Sequence, residues 1–398
     1  MSNKKVVLAY SGGLDTSYCL SFLKNQGCEV HAVSVNTGSF NDQEIKELEE
    51  KAILMGAASY KCIDAEKQYY QNAIRYLIFG NVLRNNCYPL SVSAERMFQA
   101  LEIAKYSKLI NADAIAHGST GAGNDQIRFD LCFNVLVPNV EIITPIRDQK
   151  LSRQQEVSYL QNLGYNFSWK KSTYSINQGL WGTSVGGKET LVSNQSLPES
   201  AYPSQVEQTT PLEIEIGFNK GEIFSINGEK DAGPALIKTL NKIAAPFGIG
   251  RDTHVGDTII GIKGRVGFEA AAPLIIIKAH ELLEKHTLSK WQMYWKNQLS
   301  NWYGMSLHEG QFFDPVLRNI ESFLEQSQTN VTGKVMIKLH PYRFELIGIE
   351  SKHDLMNPQF GTYGEMNEAW TGNDAKGFTT ILSNPHKIYF QVNKVDSI

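Results

Sequence analysis

The chain has 398 residues, 42% of them hydrophobic and 20% charged, with a formal net charge of −3; this is an ordinary globular composition for about two domains, and nothing in its balance calls for nucleic acid. Five cysteines (Cys19, Cys28, Cys62, Cys87, Cys132) lie in the first third without a C-x-x-C pair, an odd number without metal spacing that fits reduced thiols. No apolar run approaches the roughly 18 residues of a membrane helix, and the first strand starts too early for a signal peptide, so a soluble, cytoplasmic protein without a membrane partner is expected.

Val6 to Tyr10 is a nearly unbroken apolar run, as a buried parallel strand requires. Ser11, Gly12 and Gly13 turn the chain, and Leu14 opens a helix with Cys19, Leu20 and Leu23 on one face. Strand, glycine turn and helix start bring backbone N–H groups and a positive dipole end to one point, which suits phosphate. Gly12 and Gly13 permit close approach, Ser11, Thr16 and Ser17 add hydroxyl donors, and Asp15 is available to a phosphate-bound cation. The stretch is not a Walker loop, since no lysine follows Gly13, nor a dinucleotide fingerprint, since a third glycine is missing. SGGLDTS is similar instead to the pyrophosphate loop of ATP pyrophosphatases.

Strands and helices then alternate. Val30 to Val35, Ser59 to Asp64, Asp113 to His117 and Val140 to Thr144 read as strands. Asp42 to Met55, Tyr70 to Leu83, Ser91 to Ile110 and Arg153 to Leu163 read as helices, the third packing Ala94, Met97, Phe98, Leu101 and Ala104 on the sheet. This spacing predicts a doubly wound parallel sheet. Its ligand edge is the carboxyl ends of the strands, at Tyr10-Ser11, Val35-Asn36 and His117-Gly118.

From Lys170 to Pro211 regularity fails. Beyond it, Leu212 to Phe218 alternates by twos, and Glu222 to Ile226 with Asn227-Gly228 suggests a hairpin. Leu236, Leu240 and Ile243 align on a helix; Asp257 to Ile262 looks like a strand, and Gly264 to Phe268 like a turn out of it. Leu288, Trp291, Trp295, Leu299 and Trp302 step along a long helix, an aromatic stripe suited to core or subunit interface. Val331 to Ile349 predicts two antiparallel strands around Pro341, with Phe378 to Leu382 and Lys387 to Val392 as short closing strands. The expected fold class is α/β: a nucleotide-binding doubly wound sheet over residues 1–168, then an α+β synthetase domain over 169–398.

Three further clusters carry chemistry. In AHGSTGAGNDQIRF, Asn124 is a fair N-cap for a helix from Asp125, and Arg128 falls one turn in, where a guanidinium can grip a substrate carboxylate. Tyr88-Pro89-Leu90-Ser91-Val92-Ser93 stands before the Ala94 helix, where hydroxyls usually serve as caps. In SINQGLWGTS, Ser175 and Ser184 bracket a tight glycine turn. No convincing Cys/His or Ser/His/Asp constellation and no cluster of metal ligands appears.

AYSGGLDTS, HGSTGAGNDQIRF and SINQGLWGTS, in this order and at these separations, resemble the argininosuccinate synthases, from Val7 to about Glu269 and more weakly beyond. The resemblance implies an adenine nucleotide alpha hydrolase-like first domain and a C–N ligase that condenses citrulline with aspartate. ATP goes to AMP and pyrophosphate through a citrullyl-AMP intermediate, with Mg²⁺ accompanying the phosphates. Carried over by position, Ala9, Tyr10, Ser11, Gly12, Gly13, Leu14, Asp15, Thr16, Ser17, Val35 and Gly118 correspond to the ATP site. Tyr88, Ser93, Arg128, Ser175 and Ser184 correspond to citrulline contacts, and Thr120, Asn124 and Asp125 to aspartate contacts. Asp125 is the candidate to orient or deprotonate the attacking amine, with Arg128 and Asp15 beside it as catalytic candidates. The resemblance also implies a homotetramer.

Departures from the family stand at Val92, at Asn36 to Ser39, and at Gly256 and Phe268, which replace a glutamate for citrulline's α-ammonium and a companion tyrosine. Either Asp257 compensates, or the substrate amine is acylated and neutral. Rival functions are a tRNA thiolase, which would need a reactive cysteine pair and a basic face, an amidating synthetase, which would need a glutaminase or ammonia channel, and a nucleotide sensor without turnover.

Overall fold

The computed structural model describes residues 3–165, 167, 174–356, 361–365 and 368–394. β1 (Lys5–Ala9) is apolar on both sides. Val6 and Leu8 pack with Leu20, Leu23 and Leu160, whereas Val7 turns to the opposite layer with Val33, Phe98 and Phe133. Such a strand belongs in the middle of a parallel sheet. The order is β3 (Ser59–Asp64), β2 (Glu29–Asn36), β1, β4 (Ala114–Ala116), β5 (Glu141–Ile143), every pair parallel. Helices Leu14–Asn25 and Arg153–Asn162 cover one face, and Ser91–Leu109 and Asp125–Leu136 the other. The doubly wound sheet expected from the alternation is therefore present. The helix expected from Tyr70 starts earlier, at Glu66, and passes through a π-helical turn at Tyr70–Ile74 before ending at Phe79.

The Ser- and Gly-rich stretch is more regular than its composition suggests. β6 (Ser175–Gly179) and β7 (Gly182–Gly186) form a hairpin around Leu180 and Trp181. Residues 168–173 lie outside the described residues. β7 pairs with β12 (Lys263–Glu269), and β12 with β11 (Arg251–Asp257).

The strand expected at Asp257 to Ile262 is a correction. Ile259, Ile260 and Ile262 gave it a β-like composition, but Thr258 N–H bonds the Ile262 carbonyl at 2.8 Å and Gly261 adopts φ +82°, which closes a tight turn. The segment from Gly264 to Phe268, read as a turn, is the strand β12. A second antiparallel sheet runs β10 (Glu229–Lys230), β9 (Glu222–Ile226), β8 (Leu212–Asn219), β13 (Gly333–His340), β14 (Arg343–Glu350). The last two are the hairpin expected around Pro341.

The aromatic stripe begins after a break, since Ser289 caps a separate helix, Lys290–His308. Trp291, Trp295 and Trp302 are 64%, 57% and 53% exposed, so they are not core of this chain.

Residues 1–353 form one unit and 354–398 another. In the second, the expected closing strands are helices, Gly372–Leu382 and Asn384–Val392. Thr371 and Asp374 make a capping box, and a proline sits in the first turn of the second helix. These start signals outweigh the β-branched and aromatic residues that suggested strands. No helix among the described residues is long and apolar enough to cross a membrane.

Candidate active site

The carboxyl ends of β1, β2 and β4 open into a cavity of about 760 Å³. Gly12 turns the chain out of β1 at φ +71°, and a Cβ there would collide with Leu48. Helix Leu14–Asn25 then begins at Gly13 without a side-chain cap, which leaves first-turn N–H groups for a ligand. Thr16 Oγ1 donates to the Gly13 carbonyl at 3.3 Å and lies 3.3 Å from Ser11 Oγ. Ser17 is buried and donates to the Gly12 carbonyl at 3.5 Å. Ala9, Tyr10, Ser11, Gly13, Leu14, Asp15 and Thr16 line the cavity, with Val35 as an apolar wall; Gly12 and Ser17 support the loop from behind.

The β4 loop meets this helix start closely. A Cβ on Gly118 would stand 3.2 Å from the Asp15 backbone carbon and 3.3 Å from the Thr16 nitrogen. Near Asp15 lies Glu156, buried, with Oε2 unpartnered among the described residues. Burial, then the Asp15 charge, pushes the Glu156 carboxyl up to about 8.

Asp125 is gripped from two sides. Arg96 Nε donates to Oδ2 at 3.2 Å and Arg128 Nη1 to Oδ1 at 2.9 Å. Burial alone would raise this carboxyl, but the two guanidiniums outweigh it and hold it below the usual aspartate range. Arg128 does not present a free fork. It is buried, and its Nε and Nη2 donate to the His308 carbonyl at 3.0 and 2.8 Å. Arg96, unlike Arg128, lines the cavity, as does Arg153, and Arg96 Nη2 also donates to Asn177 Oδ1 at 3.1 Å. Asn124 does not cap its helix; its Oδ1 accepts from the Ile259 N–H at 2.9 Å and so ties the β11–β12 turn to the loop. Thr120 and Ser175 line the cavity.

The remaining expected residues gather behind that wall. Tyr88 is buried with its ring 5.4 Å from Phe268, which is fully buried and lies opposite Ser184 in register. The Ser91 hydroxyl and the Val92 N–H both donate to the Tyr88 hydroxyl, and the Ser93 hydroxyl donates to the Leu90 carbonyl, so the hydroxyls thought to be caps serve other partners. At Gly256 a Cβ would meet His254 Nε2 at 2.7 Å. His254 stacks on Tyr88 at 5.1 Å, and burial, then the charge of Arg84, lowers it to about 4, so it is neutral. Asp257 is exposed and paired with Lys263 at 2.6 Å.

Sequence reasoning missed Glu95, Arg96, Glu156 and His254. A signal existed for the first two: a charged pair set between Ala94 and Met97, on the face expected to pack on the sheet.

The family model "Arginosuccinate synthase N-terminal HUP domain" matches residues 5–166, and "Arginosuccinate synthase C-terminal domain" matches 174–389. Among relatives named argininosuccinate synthase, that of Dictyoglomus turgidum is 36% identical over 98% of both chains. That of Xylella fastidiosa is 33% identical over 99% of both, and that of Methanocaldococcus jannaschii is 35% identical over 90% of this chain and 91% of its own. With two models covering nearly all of its length and relatives matched end to end, the chain belongs to the argininosuccinate synthase family.

Proposed function

We propose that this chain carries out the family's reaction, the ATP-dependent ligation of citrulline and aspartate, with its own residues in the following roles. One observation carries this: an uncapped phosphate-type loop and the Arg96–Asp125–Arg128 charge cluster border one cavity. The first suits a triphosphate and the second a charged amino acid. Ala9 to Ser17, Val35 and Gly118 hold ATP. Tyr88, Ser93, Ser175 and Ser184 serve citrulline, and Thr120, Asn124 and Asp125 serve aspartate. The ureido oxygen attacks the α-phosphorus and releases pyrophosphate; the aspartate amine then displaces AMP. Positioning and charge stabilisation carry the rate. Held between two guanidiniums, Asp125 positions the amine as an anion and is a poor proton acceptor, and Arg128 acts through it.

Asp15, a carboxylate lining the cavity at the start of the phosphate-loop helix, fits a Mg²⁺ ion accompanying the phosphates, where the ion would neutralise their charge. We assign residues 1–168 to nucleotide binding and 169–398 to the synthetase domain, in a cytoplasmic homotetramer. The exposed Trp291, Trp295 and Trp302 support an assembly surface.

A second reading is favoured at the amine end of citrulline. Gly256 carries no carboxylate, Asp257 is engaged by Lys263, His254 is neutral, and Arg84 Nη1 is buried with no hydrogen-bond partner among the described residues. Such a wall suits an acylated amine better than an ammonium. Pyrophosphate release from ATP with aspartate and Mg²⁺ tests both readings, with citrulline, N-acetylcitrulline or N-succinylcitrulline supplied in turn. Release with citrulline alone supports the first, release only with an acylated form supports the second, and no release overturns both.

A further inference from the structure

The cavity wall beside Asp125 carries a second carboxylate for which the ligation chemistry above has no task. Glu95, on helix Ser91–Leu109, is 2% exposed, yet it borders the cavity. Its hydrogen bonds are one-sided. Oε1 accepts from Thr37 Oγ1 at 2.9 Å, Gln99 Nε2 at 2.9 Å and Arg96 Nη1 at 3.4 Å. Among the described residues nothing donates to Oε2. That oxygen lies over Gly179, where a Cβ would collide with it, so only glycine leaves it room. Three fixed donors on one oxygen lock the carboxyl, and the other oxygen is left to a ligand.

One guanidinium separates the two carboxylates, because Arg96 reaches Asp125 through Nε and Glu95 through Nη1. Their surroundings differ. Asp125 has a second guanidinium, that of Arg128, whereas Glu95 shares only Arg96 and otherwise faces neutral groups: Thr37 from β2, Gln99 from its own helix, and Tyr69, whose phenol burial keeps protonated. Burial raises the Glu95 carboxyl; Arg96 and Thr37 oppose this, the Asp125 charge adds to it, and the net direction is upward. Two carboxylates pushed apart in this way divide into a fixed anion and a group able to take a proton.

We propose that Glu95 Oε2 is the proton acceptor for the amine nucleophile in the ligation step. The assignment rests on the ligase function proposed above. Aspartate is bound as an ammonium, and Oε2 removes one proton, freeing the nitrogen lone pair. That pair attacks the former ureido carbon of citrullyl-AMP and forms the new C–N bond. The C–O bond to AMP breaks with its electrons on the departing phosphate, which accepts the second proton lost from the nitrogen. Glu95 is idle in the first half-reaction, where the ureido oxygen attacks phosphorus.

That division makes the test. Citrulline-dependent exchange of labelled pyrophosphate into ATP, without aspartate, reads adenylation alone, and product formation under single turnover reads ligation. Glu95→Gln should retain exchange, lose ligation by ~10²-fold or more, and lose the acidic limb of the ligation pH profile; Glu95→Asp should recover part of the rate and the limb. Ligation by Glu95→Gln at the parent rate with an unchanged profile overturns the proposal. So does an equal loss of exchange and ligation in both variants, the mark of a purely structural carboxylate. If the unaltered chain exchanges pyrophosphate with neither citrulline nor its acylated forms, the ligase function fails, and the role of Glu95 with it.

Discussion

Gly118 meets the first turn of the phosphate-loop helix at Asp15: a side-chain carbon at position 118 would stand 3.2 Å from both the carbonyl carbon and the Cβ of Asp15. That is tighter than van der Waals contact, so two strand ends of the parallel sheet are held together by an absent side chain. Gly118→Ala should open the loop slightly and raise KM for ATP. Gly118→Val should cost on the order of 10² in kcat/KM for ATP, since small misplacements at a reacting centre are that costly. Steady-state kinetics on both variants, with thermal melts to confirm folding, checks the order Gly, Ala, Val.

Asp125→Asn keeps the shape of the side chain and removes the charge that Arg96 and Arg128 share. ATP binding, read by calorimetry, should survive, because the phosphate loop is untouched. Turnover should fall by ~10²-fold or more, as when a preorganised charge is lost from a site. Normal turnover would show that Asp125 does not position the amine.

His254 gives a pH signature. Its folded value of about 4 lies below the ordinary histidine value of about 6.5, so between those limits the unfolded chain binds more protons. Stability contributed by this ring is therefore complete above about pH 6.5 and is lost as pH falls toward 4. Melting temperatures of the parent should decline more steeply across that window than those of His254→Gln; parallel curves would remove the ring from the account.

Lys296 and Glu284 are both fully buried, 2.8 Å apart, and Gln328 also donates to Glu284. Lys296→Met strands a buried carboxylate and should destabilise by about 3–5 kcal/mol. Adding Glu284→Gln should recover part of that, measured by denaturant unfolding of single and double variants.

Much of the fold was legible because period and punctuation agree in the first 165 residues. β1 is apolar throughout, Asp42 to Leu54 has its capping asparagine at 41, and glycines stand where strands end. Beyond Gly250 local signals conflict. Three isoleucines suggested a strand at 257–262, but one glycine at positive φ and the Asn124 side chain hold that segment as a turn. At the C-terminus, aromatic and β-branched residues hid the capping box at Thr371.

The candidate site was legible where backbone geometry makes it, at Ser11 to Ser17 and Gly118. It was less so where side chains from distant segments meet. Arg128 and Arg96 sit at comparable depth along neighbouring helices, and only packing decides that Arg128 turns inward to the His308 carbonyl while Arg96 faces the cavity.

The turn at Leu180 and Trp181 bears on timing. Trp181 is fully buried and donates its indole N–H to the Pro89 carbonyl at 2.9 Å. Freeing such an indole costs about 3–5 kcal/mol in lost packing, and its hydrogen bond adds roughly 1 kcal/mol. At one decade per 1.4 kcal/mol, the hairpin bearing Ser175 and Ser184 stands open in about one molecule in a thousand or fewer. A Ser- and Gly-rich segment invites the picture of a swinging lid, yet this one is a bolted panel. Substrate therefore meets the hairpin almost always in its closed position, with Ser175 and Ser184 already paired across β6 and β7 with Gly186 and Asn177.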